Sequence, residues 1–449
     1  MKSVIICDME GIILKMNKGA ADMFGYDPNE LIGNKRVSLF SPGEIVLQNV
    51  LGWLEKADKD GENTIKTNFK RKDGSIFGAE ITITPNFANG KDKPQTGYCG
   101  ITKELNDKVD VPIKFTTKII KGIAITRGGF TLASILPMVI VAYILSFYEM
   151  LNILNAFISI FGVICLHIFS NLYNDYFDVS YGSDEENKEY FNVGTKSLVL
   201  RGAQISGGSR AIELGLTTLK KTSSLGNIML FLSLICLFFV NINSYIITGT
   251  LFNVSMMSII AMIAVFLGFF YTAKPLRLSA RKGLGELTIF LTFGPLLTLG
   301  SMFSMSNFNI DLNSSILKTI ALIGIPLGLL TTNILFINQF PDYESDKKTG
   351  KINLVVILGK KISRWIYLIS ISLIFLSLVS FVFIMPNEFS FFDKVPFYVI
   401  LLCLMIYALY ISIGLISKYN SRDLVFYNIQ TIYFQIIFCF GLIMSFYFS

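Results

Sequence analysis

Two acidic segments hold the side chains of this 449-residue chain whose types and spacing could do chemistry. Each follows a long apolar run and places an asparagine four residues before an aspartate. Mg²⁺ prefers oxygen ligands, and proteins hold it with one or two carboxylates together with the phosphates of a substrate. Two such segments facing each other could bind metal ions against a diphosphate and neutralise its charge as a C–O bond breaks.

The first segment runs from Asn171 to Asp178, at the end of the second apolar run. If this run continues as a helix, its polar residues share one face, because positions three, four and seven apart coincide. The single histidine, His167, lies one turn earlier on the same stripe. The residues predicted here as catalytic metal ligands are Asp175 and Asp178, and those predicted to bind substrate are Asn174 and Asp184.

The second segment follows the sixth apolar run and carries Asn338, Asp342 and Asp346 at intervals of four residues. On an uninterrupted helix these side chains would share one face. Pro341 lies between them and loosens the helix, so the register beyond it is less certain. We predict Asp342 and Asp346 as catalytic metal ligands and Asn338 as a substrate-binding residue.

Three further residues are predicted to bind the diphosphate. Tyr271 and Lys274 lie in the loop after the fourth run, and Arg210 follows the glycine-rich stretch Ser206–Ser209. Basic side chains near a phosphate would complete the clamp. Lys274 could equally anchor a helix end at the membrane surface, and Arg210 could belong to a flexible turn. Acids at a membrane face can also be solvated loop residues, but two matching motifs on one side favour a functional role.

Composition divides the chain into a soluble and a membrane region. Hydrophobic residues make up 52% of the sequence and charged residues 16%, against about 25% charged in soluble domains. A bilayer-spanning helix needs about 20 apolar residues, and nine runs after residue 128 meet or approach that length. These runs lie near 129–149, 152–173, 225–243, 245–271, 286–305, 315–337, 364–385, 395–416 and 426–448.

Basic residues alternate between the loops that join these runs. Lysine and arginine are concentrated after the second, fourth, sixth and eighth runs and are nearly missing from the loops between. Because cytoplasmic loops are enriched in basic residues, we predict a cytoplasmic N-terminus, an external C-terminus and both acidic motifs on the cytoplasmic side. This orientation describes a multi-pass protein of the cell membrane.

Residues 1–105 are predicted to form a small α+β domain, and residues 106–128 a charged juxtamembrane linker. Lys72–Ser75 is typical of a hairpin turn between two alternating strands, and Asn17 is a candidate helix cap. The segment resembles a PAS domain in the following stretches: Asp8–Ile13, Asn17, Ala20–Ala21, Phe24–Tyr26, Glu30–Gly33, Arg71–Ser75 and Gly97–Thr102. PAS domains bind small ligands or dimerise, and both readings stay open here. The segment has no histidine to serve as an axial haem ligand.

Residues from about 120 to 449 resemble the UbiA superfamily of intramembrane aromatic prenyltransferases. The resemblance rests on nine spans, on the acidic motifs after the second and sixth, and on the Tyr271–Lys274 loop after the fourth. Similarity to the 1,4-dihydroxy-2-naphthoate prenyltransferases is greatest in these stretches: Asn174–Asp178 with Gly182 and Asp184, Gly283–Glu286 with Phe293–Pro295, and Gly350–Gly359. The sequence departs from that branch in its long Glu185–Ser206 loop and in Asn353, where threonine or serine is common.

This resemblance implies an all-α bundle of nine transmembrane helices around a central cavity, preceded by the PAS-like domain. It also implies Mg²⁺-dependent transfer of a polyprenyl group from its diphosphate to an aromatic acceptor, with 1,4-dihydroxy-2-naphthoate as the first expectation. A 4-hydroxybenzoate, tocopherol-type or chlorophyll-type ring is the alternative acceptor. A PAS-coupled receptor or transporter is the alternative from another class of protein. The expected partners are the two substrates and the lipid bilayer; no nucleic acid is expected.

Overall fold

The computed structural model describes residues 2–9, 11–181, 211–212, 214–384, 395–421 and 423–447. It consists of two compact units: an N-terminal unit that ends at Thr126 and a membrane unit that begins at Arg127. The described residues between 211 and 219 belong to the N-terminal unit.

The N-terminal unit is built on a five-stranded antiparallel sheet with strand order β2-β1-β5-β4-β3. Its elements are β1 (Lys2–Asp8), β2 (Ile13–Met16), α1 (Lys18–Phe24), α2 (Pro28–Leu31), α3 (Gly43–Ile45), α4 (Leu51–Asp60), β3 (Asn63–Lys70), β4 (Ile76–Asn86), β5 (Gly97–Glu104) and α5 (Phe115–Thr126). The small α+β architecture that was predicted is confirmed.

Local signals explain how this unit folds. The side chain of Asn17 accepts a hydrogen bond from Ala20 N at 2.8 Å and caps α1, as predicted. Strands β3 and β4 pair in register from Asn63 opposite Ile83 to Lys70 opposite Ile76, which confirms the hairpin. One face of the sheet then packs against the buried ring of Phe24 at the end of α1.

The membrane unit consists of helices joined by loops over the residues that the structure describes. Its helices are α6 (Leu132–Phe147), α7 (Ile153–Ser180), α8 (Leu219–Thr248), α9 (Phe252–Phe270), α10 (Leu284–Leu291), α11 (Leu297–Met305), α12 (Ser315–Asn338), α13 (Tyr343–Lys348), α14 (Leu354–Leu358), α15 (Lys360–Ile384), α16 (Val395–Lys418) and α17 (Leu424–Tyr447).

Nine helical segments in the described part of the chain are long and apolar enough to cross a membrane. They include a continuous segment Leu284–Met305 made of α10, a short kinked stretch and α11. The predicted number of spans is confirmed, whereas several boundaries move by up to seven residues, most clearly the one between the third and fourth spans. Residues 245–248, assigned from sequence to the fourth span, belong to α8, which ends before Gly249 at a φ of 66°.

Close backbone contact holds the kinked α10–α11 segment against α12. A Cβ atom added to Gly294 would lie 2.4 Å from the carbonyl oxygen of Gly324. One added to Gly328 would lie 2.5 Å from that of Phe290. These glycines therefore let two membrane helices approach more closely than larger residues allow, as small residues commonly do within membranes.

Candidate functional site

The first acidic motif lies on an uninterrupted helix. Helix α7 continues through it to Ser180, so its polar residues share one face as predicted. Asp175 is buried and forms an ion pair with Arg127, the first residue of the membrane unit. The side chain of Asn174 accepts a hydrogen bond of 2.5 Å from the hydroxyl of Thr272, which ties α7 to the loop after α9.

The second acidic motif lies on two helices, so Asn338 does not share one helical face with Asp342 and Asp346; the break falls at Pro341, beyond which the sequence left the register open. Helix α12 ends at Asn338, and the short α13 begins at Tyr343. Pro341 lies in the break, where its missing N–H removes one helical hydrogen bond. A helical bond from Asp346 N to Asp342 O, at 2.8 Å, keeps only the two aspartates in helical register. Asn338 instead accepts a hydrogen bond of 2.9 Å from Asn428 on α17.

Asp346 is held by the residues that follow it in the chain. Asn353 donates a hydrogen bond of 2.7 Å to its Oδ2 atom. The Nζ atom of Lys351 lies 3.7 Å from its Oδ1 atom. Asn353 also caps α14 by accepting a bond from Val356 N. The residue that departs from the common threonine or serine thus has two roles, which its longer side-chain amide can fill at once.

Lys351 lies within the electrostatic reach of both motifs. The pKa of Lys351 is raised chiefly by Asp346, with burial opposing the shift and Asp178, Tyr271 and Asp342 adding to it. Burial also raises the pKa of Tyr271, which feels the charges of Lys351, Asp178 and Asp346. Two acidic segments 160 positions apart in sequence therefore both act on the charge of one lysine.

The carboxylates of this cluster oppose one another's ionisation. Burial is the main reason that the pKa of Asp346 rises to about 7, and Asp342 and Asp178 raise it further. Lys351 and Asn353 act in the opposite direction. A bound divalent cation would relieve this repulsion, and the donors are the oxygens that Mg²⁺ prefers. Within the described residues no three His, Cys, Asp or Glu side chains group closely enough to form a metal site.

The buried side chain of Glu286 hydrogen-bonds to residues on both sides of the second acidic motif. The Oε1 atom of Glu286 accepts bonds from Gln339 Nε2 at 2.8 Å and from Leu354 N at 2.9 Å. Gln339 lies in the break after α12, and Leu354 begins α14. Glu286 thereby fixes both flanks of the second motif. The sequence feature that could have indicated this role is an acidic residue at the start of an apolar span.

The remaining predicted substrate-binding residues fall in two groups. Lys274 is exposed, and its Nζ atom lies 4.7 Å from the ring centre of Tyr181, just beyond α7. Arg277 lies over the same ring at 5.2 Å. Arg210 and Asp184 are outside the described residues.

An apolar cavity of about 680 Å³ extends from this polar end into the membrane unit. Helices α7, α8, α9 and α10–α11 line it, with Asn171, Asn174 and Tyr271 at the acidic end. Its volume is typical of a small-molecule site. The central cavity expected from sequence is confirmed.

His167 is a polar residue in the wall of this mainly apolar cavity. Its Nδ1 atom lies 2.8 Å from the hydroxyl of Ser134 on α6, and its ring contacts Phe293 edge-on at 5.2 Å between centres. The sequence placed His167 on the acidic stripe but assigned it no function. Arg127 and Lys351 were also missed as site residues, because each belongs to a set of basic residues that membrane topology already explains.

These features define a class of protein: a multi-pass membrane bundle whose apolar cavity opens beneath two converging acidic motifs. Residues 135–433 match the UbiA prenyltransferase family, and residues 1–103 match a PAS domain. The chain belongs to the UbiA prenyltransferase family and carries an N-terminal PAS domain.

Three similar proteins illustrate the relationship. UbiA prenyltransferase domain-containing protein 1 of Dictyostelium discoideum is 25% identical over 55% of this chain and 66% of its own length. The 1,4-dihydroxy-2-naphthoate octaprenyltransferase of Bacillus subtilis is 24% identical over 53% of this chain and 65% of its own. The chain thus spans just under two thirds of each relative. A UbiA homologue from Archaeoglobus fulgidus, solved with DMAPP and Mg²⁺, is 16% identical over 72% of this chain and 99% of its own, with a TM-score of 0.46.

Proposed function

We propose that this protein transfers a polyprenyl group from an allylic diphosphate to an aromatic ring, with Mg²⁺ and with 1,4-dihydroxy-2-naphthoate as acceptor. The observation that carries the proposal is that both acidic motifs act electrostatically on Lys351 and that the first motif's Asn171 and Asn174 line the polar end of an apolar cavity. The name and similarity of the Bacillus relative support the choice of acceptor.

The acidic end would bind the diphosphate. Asp175, Asp178, Asp342 and Asp346 are the proposed metal ligands, and Mg²⁺ bound there supplies charge neutralisation for the leaving group. Asn174, Asn338 and Tyr271 would orient the diphosphate. Lys351 would neutralise part of its charge, and Lys274 and Arg210 would contact it at the mouth. Asp184 remains a proposed substrate contact.

The apolar cavity would hold the isoprenoid chain and protect the reaction from water. As the C–O bond breaks, its electron pair leaves with the diphosphate and an allylic cation remains. The ring carbon that bears the carboxylate then forms the new C–C bond, and its bond to the carboxylate breaks, which releases CO₂ and returns the electron pair to the ring. Exclusion of water prevents hydrolysis of the cation, and aromatic rings in the wall such as Phe293 offer it a favourable π-face.

His167 and Ser134 are proposed to orient the acceptor. They provide a hydrogen-bonding point in the cavity wall, where a ring hydroxyl would otherwise lose its partners on leaving water. Replacing His167 with phenylalanine should therefore raise the KM for the acceptor while leaving the KM for the prenyl diphosphate near its original value. Equal changes in both constants would point to general disruption of the cavity.

The proposed orientation places the acidic mouth and the PAS domain on the cytoplasmic side and the C-terminus outside. The distribution of basic residues among the loops supports it. In this orientation the charged diphosphate head group enters from the cytoplasmic aqueous side, where water solvates it.

A product assay tests the activity directly. The full chain, reconstituted in nanodiscs, is incubated with farnesyl or geranylgeranyl diphosphate and one acceptor at a time: 1,4-dihydroxy-2-naphthoate, 4-hydroxybenzoate or a tocopherol-type ring. We expect a prenylated naphthoquinol and released diphosphate, and loss of both when EDTA removes the metal. If only another ring is prenylated, 1,4-dihydroxy-2-naphthoate is not the acceptor. If no acceptor leads to release of diphosphate, the protein does not catalyse the proposed prenyl transfer.

A further inference from the structure

Helix α5, the last element of the N-terminal unit, has two opposite faces with different surroundings. Thr117 and Lys121, four residues apart, face the PAS domain. The Thr117 hydroxyl donates to Gln48 Oε1 at 2.8 Å, and Lys121 Nζ lies 2.5 Å from Glu44 Oε1. Gln48 also bonds the chain just before the helix, at Pro112 O and Lys114 N. One face of α5 is thus held by specific polar contacts.

The other face of α5 is apolar and exposed. Phe115, Ile119 and Ile123 follow one another at intervals of four, so they form one stripe on the helix surface. Their exposed fractions are 75%, 48% and 51%, and the adjoining Ile120 is 51% exposed. Such a continuous stripe of large apolar side chains usually marks an interaction surface.

The chain itself limits what can cover this stripe. Only Arg127 separates the end of α5 from the membrane-spanning segment that begins at Gly128. The helix is therefore tethered at the bilayer surface. Its 12 residues amount to fewer than two heptads, whereas a coiled-coil seam is recognised over about three or more. The exposed Lys114 and Lys118 add positive charge at the level of anionic head groups.

We infer that α5 is an interfacial membrane anchor: its Phe115–Ile119–Ile120–Ile123 stripe lies in the head-group region of the bilayer, and its opposite face carries the PAS domain. Amphipathic helices with basic flanks lie in the membrane plane in this way. The PAS domain would then be fixed to the membrane surface through Glu44 and Gln48 rather than suspended on a flexible linker. This inference is independent of the proposed prenyl transfer.

Spin labelling of the full chain in nanodiscs of phosphatidylethanolamine and phosphatidylglycerol tests this inference. Labels are attached to Ile119→Cys and Ile123→Cys, with Lys56→Cys on the exposed surface of α4 as the matched control and the unsubstituted chain as the background. Collision with dissolved oxygen reports lipid contact, and collision with a water-soluble nickel chelate reports water contact. We expect an oxygen-to-nickel ratio several-fold higher at the two isoleucine positions than at Lys56.

Two results would overturn the inference. Nickel accessibility at Ile119 and Ile123 equal to that at Lys56 would show that the stripe faces water. Dipolar broadening that disappears on dilution with unlabelled protein would show that a second copy of the chain covers it. If either variant fails to reconstitute, Phe115→Cys samples the same stripe at its most exposed position.

Discussion

The two acidic motifs have similar residues and spacing but are supported in different ways. The first is carried by one continuous helix, and its residues keep their relative positions through the α7 backbone. The second is divided by the break at Pro341, and Asp346 is held by Asn353 and Lys351 from the following loop. One motif depends on helical register, whereas the other depends on side-chain contacts.

This difference predicts which substitutions should disturb the geometry of each motif. A helix of 28 residues packed in a bundle keeps its register when one outer hydrogen bond is lost, because the backbone bonds remain. A six-residue helix after a proline has few backbone bonds of its own. We therefore expect supporting residues to matter more around the second motif than around the first.

Loss of a carboxylate from either motif should have the largest effect. Asp175→Asn and Asp346→Asn are each expected to lower the prenyl-transfer rate by on the order of 10²–10³-fold, since each removes a proposed ligand of the Mg²⁺ that would neutralise the leaving diphosphate. Product formation in nanodiscs measures the rate. Asp423→Asn is the matched control, because Asp423 forms an exposed ion pair with Lys418 and belongs to neither motif. Full activity in either site variant would remove that motif from the site.

Removal of Lys351 should have the next largest effect. Lys351→Met is expected to reduce kcat/KM for the prenyl diphosphate by about 10²-fold, because the carboxylates of both motifs would lose their shared cation. Lys351→Arg should retain much of the activity. Arg127→Met should lose less, since Arg127 forms its ion pair with Asp175 of the first motif, whereas Lys351 feels the charges of both motifs. A larger loss at Arg127 than at Lys351 would reverse the comparison.

The supporting hydrogen bonds test the comparison most directly. Asn353→Ala removes the bond to Asp346 and should weaken Mg²⁺ affinity by about tenfold, as loss of a residue behind a ligand commonly does. Thr272→Val removes the corresponding bond to Asn174 and should weaken it less, because α7 keeps its register. Titration of activity with Mg²⁺ gives both values. Equal losses would mean that the continuous helix confers no advantage.

The smallest expected effect is the change in apparent Mg²⁺ affinity with pH. Because the pKa of Asp346 is raised to about 7, this carboxyl group takes up a proton as the pH falls through that value, and Mg²⁺ must then displace it. Apparent Mg²⁺ affinity should fall by at most about tenfold per pH unit below this pKa and level off above it. Mg²⁺ titrations across that range measure this. The titrations use the unsubstituted chain, because Asp175→Asn would itself remove a proposed Mg²⁺ ligand and change the affinity.

Several predictions succeeded because a periodic pattern or a single local signal determines the structure. The continuous stripe on α7, the Asn17 cap and the β3–β4 hairpin are of this kind. The register between Asn338 and Asp346 could not be predicted, because the sequence shows that Pro341 interrupts the helix but not the geometry of the break. The start of the fourth span was misplaced because apolar residues continue on both sides of Gly249.

Hydrophobicity and periodicity along the chain were enough to predict the number of spans, the N-terminal α+β unit and the residue types that could meet a metal-bound diphosphate. The folded structure was needed to show that the charges of both acidic motifs act on Lys351, that Asn353 and Glu286 support the second motif, and that His167 lines the cavity. Most of these relations join residues far apart in sequence through helix packing, and even the short link from Asn353 to Asp346 depends on the turn between α13 and α14.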